Sequence, residues 1–269
     1  MYKKIPPKEL SYQIRSLSAK IIHKAKSSHI GSVFSAADII AIIYSEYLKF
    51  DGNKFTDKFI LSKGHACAGV YSALNAIGLL NDKELETYAS NNSNLMAHIS
   101  HKVQHVEFST GSLGHGLALG IGKSIALKKS GSTGHVYVLL SDGELDEGSN
   151  WEGFLFAGHH RISNLTILID YNKMQSFGST TKTIDLEPLF EKIKSFNLNV
   201  NICNGHDFKE LSEAIENKSQ NSTNVIICNT VKGFPIDFME NKVKWHYAPP
   251  NDEQILSIQN QLIIYQNEK

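Results

Sequence analysis

The stretch that decides the fold runs from residue 135 to residue 175 and reads HVYVLLSDGELDEGSNWEGFLFAGHHRISNLTILIDYNKMQ. Two short apolar runs, at 135–140 and 165–170, flank a helical pattern at 150–160. Apolar runs of this length, bounded by polar turns, are typical of strands that are buried on both faces. A strand, a helix and a strand within about 35 residues predict a right-handed crossover between two parallel strands.

The segments on either side extend this unit into a single α/β domain. Apolar runs predict three further strands, at residues 58–62, 198–202 and 225–228. We therefore expect an α/β fold with a mostly parallel sheet and helices on both faces. No repeat, low-complexity tract or linker divides the sequence, which predicts one domain over residues 1–269. Further helices are predicted at residues 6–26, 208–216 and 251–266. Three more are predicted from one end each: one begins after a cap at Ser35, one begins at residue 64, and one ends at residue 129. Residues 232–250 are predicted to be a loop.

The composition is that of an ordinary globular protein and excludes several classes. Lys plus Arg and Asp plus Glu both number 27, so the net charge is zero, which argues against nucleic acid as a partner. No run approaches 18 uninterrupted apolar residues, and residues 1–10 lack the apolar core of a signal peptide, so we expect no membrane partner. The three cysteines have no metal-ligand or paired spacing and predict reduced thiols in a cytoplasmic protein.

Two polar residues follow the central strands at the points where they end. Asp142 lies in a Ser-Asp-Gly turn, and Asn172 follows the next strand 30 residues later. The carboxyl ends of parallel strands meet at the edge of a sheet where ligands bind. Mg²⁺ prefers oxygen ligands, Gly143 lets the backbone approach a phosphate, and the following helix can add its positive end. The pair predicts a magnesium diphosphate site, although either residue alone could be a simple turn or strand end.

Five ordered blocks of the sequence carry a family resemblance. SDGELDEG followed by LTILIDYNKMQ resembles the thiamine diphosphate signature, in which Gly-Asp-Gly is followed at a similar distance by Asn. Ser141 replaces the first glycine of that signature, a position that is not a ligand. Along essentially the whole chain, the sequence resembles the N-terminal third to half of transketolases. The other four blocks are SSHIGSVFSAADI, FILSKGHACAGVYSAL, VEFSTGSLGHGLALGIGKS and TVKGFPIDFMENKVKWHYAPP.

The resemblance implies roles for individual residues. Mg²⁺ is expected on Asp142, Asn172 and the carbonyl of Met174. Thiamine diphosphate is expected to contact Ser32, His65, Gly143, Asn172, Lys232, His246 and the turn Gly111-Ser112-Leu113. The expected catalytic set is His29, His98 and His246, which line the substrate channel, with Glu147, which matches an acid at the family's subunit interface.

The histidines suit this chemistry because their ordinary pKa lies near neutrality, where a side chain can both take and give a proton. The four that match family positions lie outside apolar faces. Others, namely His101, His105, His159 and His160, have no such support and are interpreted as surface or structural residues. His115 stands where many transketolases have glutamine, and no role is assigned to it.

The glycines between residues 111 and 120 allow an alternative interpretation. Their spacing before a helix resembles a dinucleotide-binding turn, but the acid expected about 20 residues later is missing from 124–134. We therefore discard a nicotinamide fold. Gly116 and Gly120 are expected instead to permit close packing of the helix that they begin.

The resemblance implies transfer of a two-carbon ketol unit from a ketose, or its phosphate, to an aldose. In this family, a glutamate on a following pyrimidine-binding domain activates the cofactor, and we find no such domain in this sequence. Our hypothesis is an N-terminal subunit of a split transketolase, which pairs with a separate C-terminal subunit in an α₂β₂ assembly. Two alternatives remain open: half of a thiamine diphosphate enzyme that acts on a 2-oxo acid, and a non-catalytic binding or regulatory module.

Overall fold

A five-stranded parallel sheet forms the centre of the molecule. The computed structural model describes residues 2–268, so Met1 and Lys269 of the predicted domain lie outside the described residues. All neighbouring strands are parallel, in the order β1-β2-β3-β5-β4, which confirms the predicted sheet. The strands are β1 (Lys58–Leu61), β2 (Val136–Ser141), β3 (Leu165–Tyr171), β4 (Asn199–Asn204) and β5 (Asn224–Asn229).

The helices alternate with the strands, as the sequence predicts. The α-helices are α1 (Pro7–Ala25), α2 (Ile30–Ile42), α3 (Cys67–Ala76), α4 (Asp82–Leu85), α5 (Gly116–Lys129), α6 (Gly148–His160), α7 (Thr180–Thr183), α8 (Leu189–Lys194), α9 (Phe208–Glu216), α10 (Lys244–Tyr247) and α11 (Asp252–Glu268). A π-helical turn at Ile43–Tyr47 follows α2, and 3₁₀ turns lie at Gly64–Ala66 and Gly143–Asp146. The region 232–250 contains only the short α10, close to the predicted loop.

Alternate residues of the central strands enter two separate cores. In β2, Val136, Val138 and Leu140 pack in one apolar cluster, and Tyr137 and Leu139 pack in the other. The first cluster includes residues of α5, α6 and α8, and the second includes residues of α1, α2, α3, α9 and α11. Since side chains of a strand point alternately to its two faces, helices cover both faces of the sheet, as predicted. The three cysteines are free and buried in the second cluster.

Helix α2 is the central helix of the second core. Every residue of α2 is buried. The stretch Ile30–Tyr47 is long and apolar enough to cross a membrane, but 89% of it is buried inside the protein, which indicates a core helix. The predicted cap at Ser35 is wrong, because the helix begins at Ile30, five residues earlier. Ser35 lies inside the helix, where its hydroxyl donates to Asp170 at 2.6 Å and satisfies its hydrogen bonding without capping.

A buried ion pair joins this helix to the carboxyl edge of the sheet. Lys63, just after β1, donates to Asp170 near the end of β3, and both side chains are fully buried. Asp170 also accepts hydrogen bonds from Ser35 of α2 and from Thr230, which follows β5. Lys63 further donates to the carbonyl of Ser32 at 3.2 Å. Burial alone would raise the pKa of Asp170, but the charge and hydrogen bond of Lys63, with the hydrogen bonds from Ser35 and Thr230, lower that pKa below its ordinary value.

Close packing explains two of the glycines singled out in the sequence. A Cβ at Gly116 would lie 2.3 Å from the Ser62 hydroxyl, and one at Gly120 would lie 2.3 Å from Cγ2 of Val138. Helix α5 can therefore approach the sheet this closely only because both residues lack a side chain. The packing role predicted for these two glycines is confirmed.

We expect Asp170→Asn to lower the free energy of unfolding by about 3–5 kcal/mol, because it leaves the ammonium of Lys63 buried without a counter-charge. The double variant Lys63→Met with Asp170→Asn should recover most of that loss. Urea unfolding of the cofactor-free chain would measure both. A double variant no more stable than Asp170→Asn would show that the unpaired charge is not the cause.

Candidate functional site

An open pocket of about 200 Å³ lies at the carboxyl ends of the strands. Of the fourteen residues predicted for the site, the pocket is lined by His29, Ser32, His65, His98, Gly111, Leu113, Asp142, Gly143, Asn172, Met174, Lys232 and His246. The lining residues that the sequence reasoning missed are Lys63, Ser141, Gln175 and Ser176. Ser112 and Glu147 are the two predicted residues that do not line it in the described part of the chain.

The predicted metal ligands lie on two adjacent strand ends. Asp142 follows β2 and is buried, with its carboxylate accepting from the backbone N–H groups of Gly143 and Lys173. Asn172 follows β3, and its Oδ1 accepts from the N–H of Met174 at 3.1 Å. Its Nδ2 donates to Asp170 at 3.3 Å. Since a carboxylate only accepts, this contact fixes which end of the amide is oxygen.

The electrostatics of this corner favour a cation. Burial, followed by the charge of Asp170, raises the pKa of Asp142 to about 7. The carbonyl of Met174 accepts from the ammonium of Lys232 at 3.3 Å. A carboxylate, an amide oxygen and a carbonyl are the donors that Mg²⁺ takes, and they fit the predicted ion. Among the described residues, no three His, Cys, Asp or Glu side chains form a metal-binding group of another kind.

Four histidines form a cluster at the other side of the pocket. The ring of His29 lies 5.2 Å from that of His65, 5.5 Å from His98 and 4.9 Å from His246, measured between centroids. Burial and then the charge of His98 lower the pKa of His29 to about 4, and burial and then Lys232 lower that of His246 to about 3. Burial also lowers the pKa of His65 and of His98. Near neutral pH, the cluster is therefore uncharged.

The backbone of His29 is held in a conformation that residues other than glycine rarely adopt. Its φ is 73°, in the left-handed region, directly before the first residue of α2. Its N–H donates to the carbonyl of His246 at 3.0 Å, and its ring bonds the hydroxyl of Ser28 at 3.0 Å. Such conformations cost free energy and persist where surrounding contacts fix them, commonly at functional sites. The hydrogen bond thereby joins the residue before α2 to a residue of α10, far apart in sequence, at the cluster.

Two buried ammonium groups give the pocket its positive charge. Lys63 is fully buried, and Lys232 is 2% exposed. Burial, and then the charge of Lys63, lowers the pKa of Lys232 to about 8. Its Nζ lies 3.3 Å from Nδ1 of His246 as well as from the Met174 carbonyl. This position, between the metal corner and the histidine cluster, suits an anionic group that bridges them.

Glu147 lies outside the pocket, beside the glycine turn. Gly114 has a φ of 82°, and a Cβ there would lie 2.7 Å from the Cβ of Glu147. Glu147 is exposed beside this turn, at the start of α6, and Ser112 is exposed on the turn itself. The turn is fixed from below by Glu144, whose buried carboxylate accepts from the N–H of Gly114 at 2.9 Å.

The remaining histidines that the sequence interpretation set aside lie away from the pocket. His101 bonds the hydroxyl of Ser109, and His159 and His160 are exposed at the end of α6. His115 is exposed and its ring bonds the carbonyl of Leu113 at 3.0 Å. One buried histidine was missed altogether: His206, which contacts Asp38. The signal that could have found it is its position two residues after β4, followed by Asp207, which caps α9.

Comparisons with known proteins agree with this geometry. The sequence matches the family model described as "Transketolase, thiamine diphosphate binding domain" over residues 7–268. It is 36% identical to one of the subunits of the apulose-4-phosphate transketolase of Actinobacillus succinogenes, covering 92% of this chain and 93% of that protein. It is 33% identical to 6-deoxy-6-sulfo-D-fructose transketolase subunit SqwG of a Clostridium species, covering 89% and 90%.

Full-length transketolases match as well, over part of their length. Human transketolase is 31% identical over 90% of this chain and 40% of its own sequence. The solved transketolase from Campylobacter jejuni superposes with a TM-score of 0.88 and 29% identity, over 95% of this chain and 42% of that chain. This chain thus spans about two fifths of their length. With the family model covering nearly every residue and the family's signature residues gathered in one pocket, this chain belongs to the transketolase family, as a thiamine diphosphate binding domain.

Proposed function

We propose that this chain is the N-terminal subunit of a two-subunit transketolase that uses thiamine diphosphate and Mg²⁺. The reaction would move a two-carbon ketol unit from a ketose, or ketose phosphate, to an aldose or aldose phosphate. The whole chain, residues 1–269, would act as one cofactor-binding domain in the cytoplasm. The observation that carries the proposal is the convergence of oxygen donors, buried ammonium groups and uncharged histidines in one pocket.

The metal corner would hold the diphosphate end of the cofactor. Asp142, Asn172 and the Met174 carbonyl supply oxygen ligands for Mg²⁺, and Lys232 supplies a positive charge beside them. Gly111 and Gly143 bring backbone to the pocket wall where a side chain would occupy space. When bound, thiamine diphosphate supplies the nucleophilic carbon and the electron sink for breaking and making a C–C bond.

The histidine cluster would bind the sugar and exchange protons with it. Uncharged rings can accept a proton from a sugar hydroxyl or hydrogen-bond an oxygen on which charge develops. His29, His98 and His246 lie within one cluster, so a single substrate can contact all three rings. His65 would contact the cofactor from the same cluster. This many histidines facing one pocket favours a polyhydroxylated substrate over a 2-oxo acid, which offers fewer hydroxyl groups.

A partner subunit would complete the site. Two relatives that are named as subunits of apulose-4-phosphate transketolases are matched over 93% and 88% of their own length, which supports a separate partner. That partner would carry the pyrimidine-binding domain and the glutamate that activates the cofactor, in an α₂β₂ heterotetramer. The exposed position of Glu147 beside the glycine turn suits a residue at such a contact. The relatives' named substrates point to ketose phosphates or related ketoses as donors.

Ketol transfer itself provides the direct test of this proposal. The tagged chain would be isolated from its own cells in its native complex and assayed with ketose phosphate and an aldose phosphate. We expect transfer by the complex, and none by the chain after the partner is removed. Transfer by the separated chain at ordinary enzyme rates would disprove the split arrangement, and a complex without transfer would disprove the assigned reaction.

Asp142→Asn should weaken binding of thiamine diphosphate with Mg²⁺ by about thirtyfold or more, since losing one charged partner costs about 2–5 kcal/mol. The fold should survive, because burial already disfavours the charge of this carboxylate. Calorimetric titration and urea unfolding would measure the two effects. Asp185→Asn, an exposed carboxylate, is the matched control. Unchanged affinity in Asp142→Asn would remove the metal assignment.

The stability of the fold should depend on pH through His29. Its pKa is about 4 in the folded chain and near its ordinary 6.5 in the unfolded chain. Between these values, the unfolded chain holds more protons, so stability falls as the pH drops from 6.5 to 4. His29→Gln removes this contribution and should gain stability relative to the unchanged chain across that window. Urea unfolding at pH 7 and pH 4.5 would measure it, and a constant difference between the two proteins would contradict it.

A further inference from the structure

A chain of buried polar side chains lies behind the pocket without lining it. Arg15 of α1 and Asp38 of α2 are both 1% exposed and form two hydrogen bonds, at 2.8 and 2.6 Å. His206, which follows β4, bonds Asp38 through Nδ1 at 2.7 Å. Burying charged groups is costly, and apolar side chains could often replace them without loss of stability. The retention of a buried ion pair and a buried histidine in one core therefore calls for a reason other than stability.

The two ends of this polar network, His206 and Arg15, both contact one short segment that follows β5. His206 accepts a hydrogen bond from the backbone N–H of Val231 at Nε2, at 2.9 Å. Because Nε2 accepts, the ring proton lies on Nδ1 and is donated to Asp38. Arg15 donates from Nε to the carbonyl of Phe234 at 3.0 Å. The ring of Phe234 also stacks on His206, with centroids 3.9 Å apart and planes 21° from parallel.

Lys232 lies between Val231 and Phe234, the two residues whose backbone bonds the polar network. Its side chain extends away from the polar network into the pocket, where its ammonium reaches the carbonyl of Met174. The next residue is held as well, since the N–H of Gly233 donates to the carbonyl of Gly31 at 3.1 Å. The backbone is thus fixed before and after Lys232.

We propose that His206 is a positioning residue for Lys232, supported from behind by Asp38 and Arg15. Through the N–H of Val231, it fixes the segment so that the ammonium of Lys232 lies in the pocket, where it would contact the diphosphate of the cofactor. The proposal deepens, and rests on, the cofactor site proposed above. A purely structural role would instead make His206 no more than a hydrogen-bonding partner for Asp38. The two roles use different ring nitrogens and can be separated.

Two amide variants separate them. In His206→Gln, the amide reaches the place of Nε2 and can still accept from Val231, but the bond to Asp38 is lost. In His206→Asn, the shorter amide lies near the place of Nδ1 and can still donate to Asp38, but the bond to Val231 is lost. Both variants lose the stacked ring, so they are matched in lost packing.

The first readout needs no cofactor. Hydrogen exchange of the isolated chain would measure protection of the backbone amides in residues 230–234. We expect His206→Asn to lose protection there and His206→Gln to keep it. The second readout is affinity for thiamine diphosphate with Mg²⁺ by calorimetry. His206→Asn should bind about tenfold more weakly, as expected when one hydrogen bond of typical worth is lost, and His206→Gln within about threefold of the unchanged chain.

A double-variant cycle with Lys232→Met then tests whether the effect passes through Lys232. If it does, His206→Asn will not weaken cofactor binding further once Lys232 is replaced. Equal protection and affinity in the Asn and Gln variants would overturn the proposal, as would a tenfold effect that persists without Lys232. If the unchanged chain binds no cofactor by itself, the same titrations would be made on its native complex with the partner subunit. A native complex that binds no cofactor would disprove the proposed function, and the exchange comparison would still decide the role of His206.

Discussion

The buried ion pair between Lys63 and Asp170 is the interaction on which the arrangement of the pocket depends. It joins the segment after β1 to the end of β3, while Ser35 brings in α2 and Thr230 brings in the segment after β5. Each of these segments carries residues that line the pocket. Two charges that are removed from water hold together strongly only when further hydrogen bonds satisfy them. Asp170 meets that condition, and it also orients the amide of Asn172.

Local patterns in the sequence predict the sheet and the pair Asp142 and Asn172, whereas most of the other pocket residues were predicted from the family resemblance. Buried strands appear as apolar runs, and the spacing of Asp142 and Asn172 follows from the length of one strand–helix–strand crossover. Ser35 shows where such reasoning fails. A serine before an apolar helical face is typical of a helix cap, yet Ser35 lies within the helix. Its hydroxyl bonds Asp170, which is 135 residues away in the sequence. A pattern of neighbouring residues cannot predict a contact between residues so far apart in the sequence.

The missed residues share this cause. Lys63 and Asp170 are charged residues at strand ends, which usually face solvent, and only the sheet order brings them together. His206 was missed because its acid partner lies 168 residues earlier in the chain. The predicted residues outside the pocket, Ser112 and Glu147, were assigned by family position. A match to a family position identifies a residue in the sequence. It does not predict whether that residue is exposed, which depends on which surfaces the folded subunit covers.

The hydrogen bond between the N–H of His29 and the carbonyl of His246 connects positions 217 residues apart. A contact of this kind forms only after a very long stretch of chain has been ordered, and closing such a loop costs conformational entropy. During synthesis, the strands, the ion pair and the metal corner can all form from earlier residues. The histidine cluster cannot, because its last ring arrives with α10. Ligand binding at this cluster therefore reports that the chain has folded as far as α10.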